Sequence, residues 1–353
     1  MKAVQFTGPE KMSYVDVPNP IINEYEVLIK IMAVGICGTD LELFSGEMPY
    51  IRNGLTTYPL IPGHEWSGQI VEVGSKVSNF KIGDRVTGDV SIGCGSCSMC
   101  MNGRFNLCPN RRVVGSYRNY NGAFAEYIKL PHRHVYLLPD ELSYEEAALI
   151  EPAATAAYGV MKAGIGLGDS VLVIGDGPIG LLSVQTAVLS GASKVYLVGS
   201  WDEKLKLGTT MGADFTFNYR NDKIVEIIHE MTQFKGIDVV IETSGSTKAF
   251  NQSLKLLKPG GKIILLSIYS SSEFMAEINS IVSKDAEVIG VLASCNSFKP
   301  TIELLAAGKI NVLPLITHKY PLSRAADAIN MMRTKSDFRI KVLLIPSETD
   351  SEL

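Results

Sequence analysis

No apolar run in this chain approaches the roughly 18 residues that a membrane-spanning helix needs, so no transmembrane role is expected. It also has no Lys/Arg block. With 33 basic against 37 acidic residues and a net charge of -4, neither nucleic acid nor an acidic membrane is an expected partner. Internal repeats and low-complexity segments are absent. The start, Met1-Lys2-Ala3-Val4-Gln5-Phe6, runs into a strand-like segment instead of the apolar core of a signal peptide, which points to the cytoplasm. Cysteine is scarce, at six in 353 residues. That scarcity makes its distribution informative.

Four of the six are Cys94, Cys97, Cys100 and Cys108, spaced C-x2-C-x2-C-x7-C among Gly93, Gly95 and Gly103. Thiolates this close can wrap one tetrahedral Zn2+ at about 2.3 Å per bond, and the glycines let the backbone turn between ligands. Paired disulfides would need an oxidising compartment, for which nothing speaks. Four unrelated core cysteines would not crowd into a polar, glycine-rich loop. A metal site is the expectation.

At this length the chain can build two domains with separate cores. The first ~150 residues read as mostly β, with short runs such as 27–31 and 69–73 broken by Gly, Pro and Asn turns. From about Ala154 buried strands (170–174, 194–198, 238–242, 262–266 and 288–291) alternate with amphipathic helices, which predicts a parallel sheet covered on both faces. Helices over 300–307 and 322–333 and a strand over 340–345 follow, and the polar tail 347–352 is expected to fray. A nucleotide-binding sheet inserted between two pieces of a catalytic domain fits this order.

The run Val171-Leu172-Val173-Ile174 leads into Gly175-Asp176-Gly177-Pro178-Ile179-Gly180 and then a helical segment. A G-x-G-x-x-G between strand and helix marks a dinucleotide site. Gly175 allows the turn, Gly177 lets the pyrophosphate approach, and Gly180 lets helix and strand pack closely. Pro178 and Ile179 open the helix, whose N-terminus faces the phosphates. Asp176 is expected to point away from them. The second strand ends in Val198-Gly199-Ser200-Trp201, with no carboxylate before Asp202. Gly199 removes the charge that would repel a 2′-phosphate, Ser200 can donate to it, and Tyr219 and Arg220 can add a stacking face and a cation. NADP(H) is therefore favoured over NAD(H). The alternative is that Asp202 or Glu203 swings back to a free 2′-hydroxyl.

A second metal set is spread along the chain: Cys37 with Thr39 and Asp40, then His64-Glu65, then Glu151-Pro152. A thiolate, an imidazole and one or two carboxylates suit a Zn2+ with an open position. Taken singly, Cys37 reads as a core thiol and His64 as an ordinary polar residue.

Over nearly its whole length the chain resembles the zinc-dependent, medium-chain alcohol dehydrogenases. The matching pieces are Cys37-Gly38-Thr39-Asp40, Gly63-His64-Glu65, the four-cysteine lobe, residues 122–127, Glu151-Pro152 and the glycine loop. The resemblance implies an α/β protein: a GroES-like, mainly β catalytic domain (1–153 and 295–353, with a structural zinc lobe at 93–109) and a Rossmann doubly wound parallel sheet (154–294). It implies one structural zinc on the four cysteines and one catalytic zinc on Cys37, His64 and a carboxylate, Glu151 or Glu65. Zinc lowers the pKa of a substrate hydroxyl and hydride passes to the nicotinamide. Thr39 resembles the hydroxyl that bonds the substrate oxygen, though a Thr here could equally cap the next helix. Many members carry a His where this chain has Glu42, so the proton route passes through Glu42, water or cofactor hydroxyls. The segments 290–298 and 314–318 resemble the polyol (sorbitol-type) branch, with Ala293 where an Arg is frequent. Tyr50, Trp66, Ile92, Tyr117, Arg118 and Asn296 are candidate pocket residues. A small-molecule polyol, sugar or cyclitol is the expected substrate, simple secondary alcohols or an amino-alcohol such as threonine the alternative, and a homodimer or homotetramer the expected assembly.

Overall fold

The computed structural model describes residues 1–269, 273–334 and 338–346; the polar tail lies outside them. The chain divides into two compact units. One comprises Met1–Glu151, Ala293–Ala307 and Val312–Leu353, and the other Pro152–Leu292 with Gly308–Asn311.

The larger unit is built on a seven-stranded sheet. Its order runs Ile316–Pro321, Lys341–Ile345, Glu26–Gly35, Glu65–Val73, Arg85–Gly88 and Val135–Leu137, with Tyr127–Pro131 also paired to Glu26–Gly35. The strand Glu26–Gly35 is the organising element because Val27, Ile29, Ile31 and Val34 are all fully buried. They join Phe6, Leu43, Ile70, Phe124 and Val342 in one core. Trp66 is 1% exposed in that core, its ring close against Gly88, where a Cβ would lie 2.7 Å away. It is therefore a packing residue and not a pocket wall.

The smaller unit carries six parallel strands: β1 (Ser170–Ile174), β2 (Lys194–Gly199), β3 (Phe215–Asn218), β4 (Ile237–Glu242), β5 (Leu257–Leu265) and β6 (Glu287–Gly290). Their spatial order is β3-β2-β1-β4-β5-β6. That is the doubly wound order, which leaves a crevice beyond the strand ends where the order reverses beside β1. Val171, Leu172 and Val173 in β1 are all fully buried, as a central strand covered on both faces requires. Helix α1 (Pro178–Leu189) follows β1, and α2 (Asp202–Thr210) follows β2. The predicted helix 322–333 divides into a 3-10 turn, Leu322–Arg324, and a helix, Ala325–Thr334. Among the described residues no helix is long and apolar enough to cross a membrane.

Candidate zinc centres and dinucleotide pocket

Strand register brings the second metal set together. Glu26–Gly35 runs antiparallel to Glu65–Val73 with Gly35 opposite Glu65. Cys37 leaves the first strand where His64 enters the second. Ligand atoms of Cys37, His64 and Glu65 lie within 4.8 Å of one another. Gly35 is glycine for a local reason: a Cβ there would stand 2.3 Å from Glu65 Oε2.

The surroundings hold this triad in place. The Cys37 amide caps the helix Gly38–Ser45 by donating to Asp40 Oδ2 at 2.8 Å, while Asp40 Oδ1 accepts from Gly63 N at 3.1 Å. One buried carboxylate thus ties the thiol loop to the imidazole loop, with Oδ1 3.8 Å from His64 Nδ1. Burial pushes the Asp40 carboxyl up, opposed by His64 and the backbone donors. For His64 burial acts downward, but the charge and hydrogen bond of Cys37, then Asp40 and Glu151, outweigh it and raise the pKa well above 6.5. His64 is buried and its Nδ1 has no hydrogen-bond partner among the described residues. Nδ1 faces Asp40, and the hydrogen bond to the Cys37 thiol belongs to the other ring nitrogen; a thiol, an imidazole and a carboxylate converging this closely are a donor set that a divalent ion would satisfy.

Glu151 is buried in the first turn of the helix Ile150–Ala163. It stands outside the tight triad, yet its charge acts on His64, on Lys341 and on Asp89. Thr39 sits inside the helix Gly38–Ser45, and the capping role falls to Cys37. Glu42 lies on the same helix, its carboxyl raised by burial and by Glu47.

Two buried ionic groups were missed in the sequence. Lys341 is 3% exposed, and its Nζ reaches Glu65 Oε1 at 2.7 Å, Oε2 at 2.6 Å and the Ile36 carbonyl at 3.2 Å. Burial acts downward on its pKa, but Glu65 and Cys37 raise it. The available signal was a lone lysine in the apolar run 340–345. Asp89, fully buried, has its carboxyl pushed up to about 8 by burial, and its Oδ2 has no partner among the described residues.

The four-cysteine lobe is the second candidate metal site. No disulfide joins any of the six cysteines in this structure. The Sγ atoms of Cys94, Cys97, Cys100 and Cys108 lie within 4.8 Å of one another. A tetrahedron with bonds of about 2.3 Å has sulfur–sulfur edges of about 3.8 Å, so the set fits one zinc. Backbone amides already point at the sulfurs, Cys94 N to Cys108 Sγ at 3.4 Å and Cys100 N to Cys97 Sγ at 3.5 Å. Those of Ser96 and Cys97 lower the Cys94 thiol to about 6, while burial pushes Cys100 up to about 12. The lobe is braced by Arg133 Nη2 on the Gly93 carbonyl at 2.6 Å, and by Cys295 and Asn296 on that of Gly103.

Of the other pocket candidates, Tyr50 and Tyr117 meet edge to face at 4.7 Å, with Arg118 over the Tyr117 ring at 5.4 Å. Ile92 is buried, and Asn296 braces the lobe.

In the smaller unit the glycine loop has the shape its spacing predicts. Gly175 adopts φ +122°, and a Cβ on Gly180 would lie 1.9 Å from the Gly175 carbonyl. A Cβ on Gly177 would meet nothing within 4 Å, so this face of the loop stays open. Pro178, Ile179 and Gly180 form the first turn of α1. A cavity of about 350 Å3 opens beside the loop, lined by Gly175, Asp176, Gly199, Ser200, Tyr219 and Lys248 among others. Arg220 is exposed and does not line it. Asp202 is held by Asn218 Nδ2 at 2.6 Å. Asp176 turns to the end of β2, where Oδ2 accepts from Ser200 N at 2.6 Å and Trp201 N at 3.0 Å.

Two candidate metal sites, one closed by four thiols and one with an open mixed donor set, together with a doubly wound sheet and a glycine-loop pocket, define a zinc-binding dehydrogenase. Residues 23–140 match the family described as alcohol dehydrogenase GroES-like domain, and residues 178–307 the one described as zinc-binding dehydrogenase. The chain is 35% identical to a sorbitol dehydrogenase of Bacillus subtilis (strain 168), over 98% of both chains. It is 34% identical to a D-arabitol-phosphate dehydrogenase of Enterococcus avium, over 99% of both. A crystal structure from Sinorhizobium meliloti 1021, described as a zinc-binding dehydrogenase bound to NADP, superposes with a TM-score of 0.90 at 35% identity, covering 98% of this chain and 99% of that one. The chain belongs to the zinc-dependent medium-chain alcohol dehydrogenase family, in its polyol branch, and is an oxidoreductase.

Proposed function

We propose that this enzyme moves hydride between a nicotinamide dinucleotide, NAD(P)(H), and a secondary alcohol or ketone of a polyol, sugar or cyclitol, with catalytic zinc held by Cys37, His64 and a glutamate, Glu65 or Glu151. The observation that carries the reading is the convergence of a thiol, an imidazole and a carboxylate, from Cys37, His64 and Glu65, within 4.8 Å of one another. Zinc, when bound, supplies a Lewis acid that lowers the pKa of the substrate hydroxyl. The protein's own groups do the rest. Asp40 fixes the thiol and imidazole loops by their amides, so neither ligand has to be ordered on binding. Lys341 holds the Glu65 carboxylate, and Glu151 keeps a second carboxylate near the imidazole. Thr39, on the first turn beyond Cys37, offers a hydroxyl to take the substrate proton and pass it on.

The polyol reading draws on the relatives named for sorbitol and for arabitol phosphate. The NADP(H) reading draws on Gly199, Ser200 and Tyr219 in the pocket and on the NADP-bound relative. A second reading, NAD(H), is favoured by the Asp176 carboxylate at the end of β2. A second zinc on the four lobe cysteines would have every position filled by protein and serve structure alone. A cytoplasmic homodimer or homotetramer completes the proposal, from the family resemblance, and light scattering on purified protein tests the assembly.

Absorbance at 340 nm, followed with zinc-loaded protein across polyols, cyclitols, simple secondary alcohols and threonine, tests the substrate class. Polyols or cyclitols should turn over fastest, and Cys37→Ser should abolish the reaction. Faster turnover of simple alcohols or threonine would overturn the polyol assignment.

A further inference from the structure

We propose that Asp176, a residue of the glycine loop, is the charge that discriminates against a 2′-phosphate on the cofactor's adenosine ribose. The proposal rests on reading the loop pocket as the dinucleotide site, and of the two cofactor readings it takes the NAD(H) one. In a sheet of this order the ribose is met at the end of the second strand, where an acid accepts from the 2′-hydroxyl. Here that position is Gly199, and the acid arrives from another segment.

The geometry is specific. Asp176 Oδ2 accepts from Ser200 N at 2.6 Å, Trp201 N at 3.0 Å and Ser200 Oγ at 3.4 Å. A Cβ on Gly199 would lie 2.6 Å from both Cβ and Oδ2 of Asp176, so the carboxylate fills the volume that a side chain at the strand end would occupy. Glycine at 199 and aspartate at 176 are two halves of one arrangement: the strand gives up its side chain and the loop supplies the charge.

Two consequences follow for the ligand. The amides of Ser200 and Trp201, just ahead of α2, are donors a 2′-phosphate would seek, and the carboxylate already holds both. A phosphate entering there must displace Asp176 or lie against a like charge. Asp176 Oδ1, by contrast, takes no hydrogen bond from the described residues and is free to accept from a ribose hydroxyl. Asp202 is not available for that bond, since Asn218 holds it.

Asp176 also caps α2, because Trp201 at the cap position supplies no side-chain acceptor. The test therefore separates charge from shape. Dissociation constants for NADH and NADPH are measured by fluorescence titration on zinc-loaded wild type, Asp176→Asn, Asp176→Ala and the swap Asp176→Ala/Gly199→Asp. Gly199→Asp alone is unsuitable, because its Cβ would collide with Asp176. The expected result is a shift of the NADH-to-NADPH affinity ratio by at least tenfold toward NADPH in both single variants, reversed in the swap. An unchanged ratio, or equal weakening of both cofactors, would reduce Asp176 to a helix cap and overturn the proposal. Failure of the wild type to bind either cofactor would overturn the dinucleotide reading itself.

Discussion

Replacing Lys341 with methionine should cost the metal-free protein far more than the zinc-loaded protein. Lys341 and Glu65 are 3% and 1% exposed, and both carboxylate oxygens bond to the ammonium at 2.7 and 2.6 Å. Removing one partner of such a pair strands the other charge in a low-dielectric interior, at about 3–5 kcal/mol. At about 2–4 °C per kcal/mol for a unit of this size, the melting temperature with chelator present should fall by roughly 6–20 °C. A divalent cation beside Glu65 compensates the same carboxylate, so saturating zinc should recover at least half of the loss. The double variant Lys341→Met/Glu65→Leu should be more stable without metal than Lys341→Met alone, because it leaves no unpaired charge. Calorimetry or circular dichroism melts with and without zinc read all three outcomes. A fall under about 1 kcal/mol in metal-free Lys341→Met, or a double variant no more stable without metal than Lys341→Met, would refute the reasoning.

Uptake of cobalt or zinc at the Cys37–His64–Glu65 site should weaken as pH falls. His64 binds metal as the neutral ring, and its pKa in the metal-free protein is raised well above 6.5, so protons compete with the metal as pH falls through that raised value. By the same shift, charged His64 stabilises the metal-free fold below pH 6.5, and that contribution is lost as pH rises through the raised value; chelator-treated melts across pH check the sign. Zinc content by mass spectrometry should drop from two to one per chain in Cys100→Ser, with a lower melting temperature. Gly177→Ala should fold normally, since its Cβ meets nothing within 4 Å, yet lose at least tenfold in dinucleotide affinity. Gly180→Ala should destabilise the smaller unit itself, because its Cβ would stand 1.9 Å from the Gly175 carbonyl.

The parts of the fold read most directly from the chain were those set by local rules. The buried strands between 170 and 291 and the glycine loop each depend on a few neighbouring residues. Strand β4 begins one residue earlier than its predicted range, and β5 five residues earlier. Trp66 misled because an aromatic beside His64-Glu65 reads as a pocket wall, whereas the pleat sends it into the core against Gly88. Arg220 lay near the right loop but does not line the cavity. Asp176 is expected from the sequence to point away from the phosphates, but its destination at the end of β2 could not be seen from the glycine pattern.

The sequence alone determined the ingredients: four thiols at zinc spacing, a strand–glycine–helix junction, and Cys37, His64 and two glutamates scattered over more than a hundred residues. Spacing suffices for the lobe because its ligands are close along the chain. Tertiary structure alone decided which distant groups share a site. Register between Glu26–Gly35 and Glu65–Val73 set Cys37 beside His64, and the return of Lys341–Ile345 to the same sheet put a buried ammonium on Glu65. The loop's turn carried Asp176 into the space left by Gly199. Contacts of that kind depend on strand pairing and packing between segments far apart in sequence, and no local pattern encodes them.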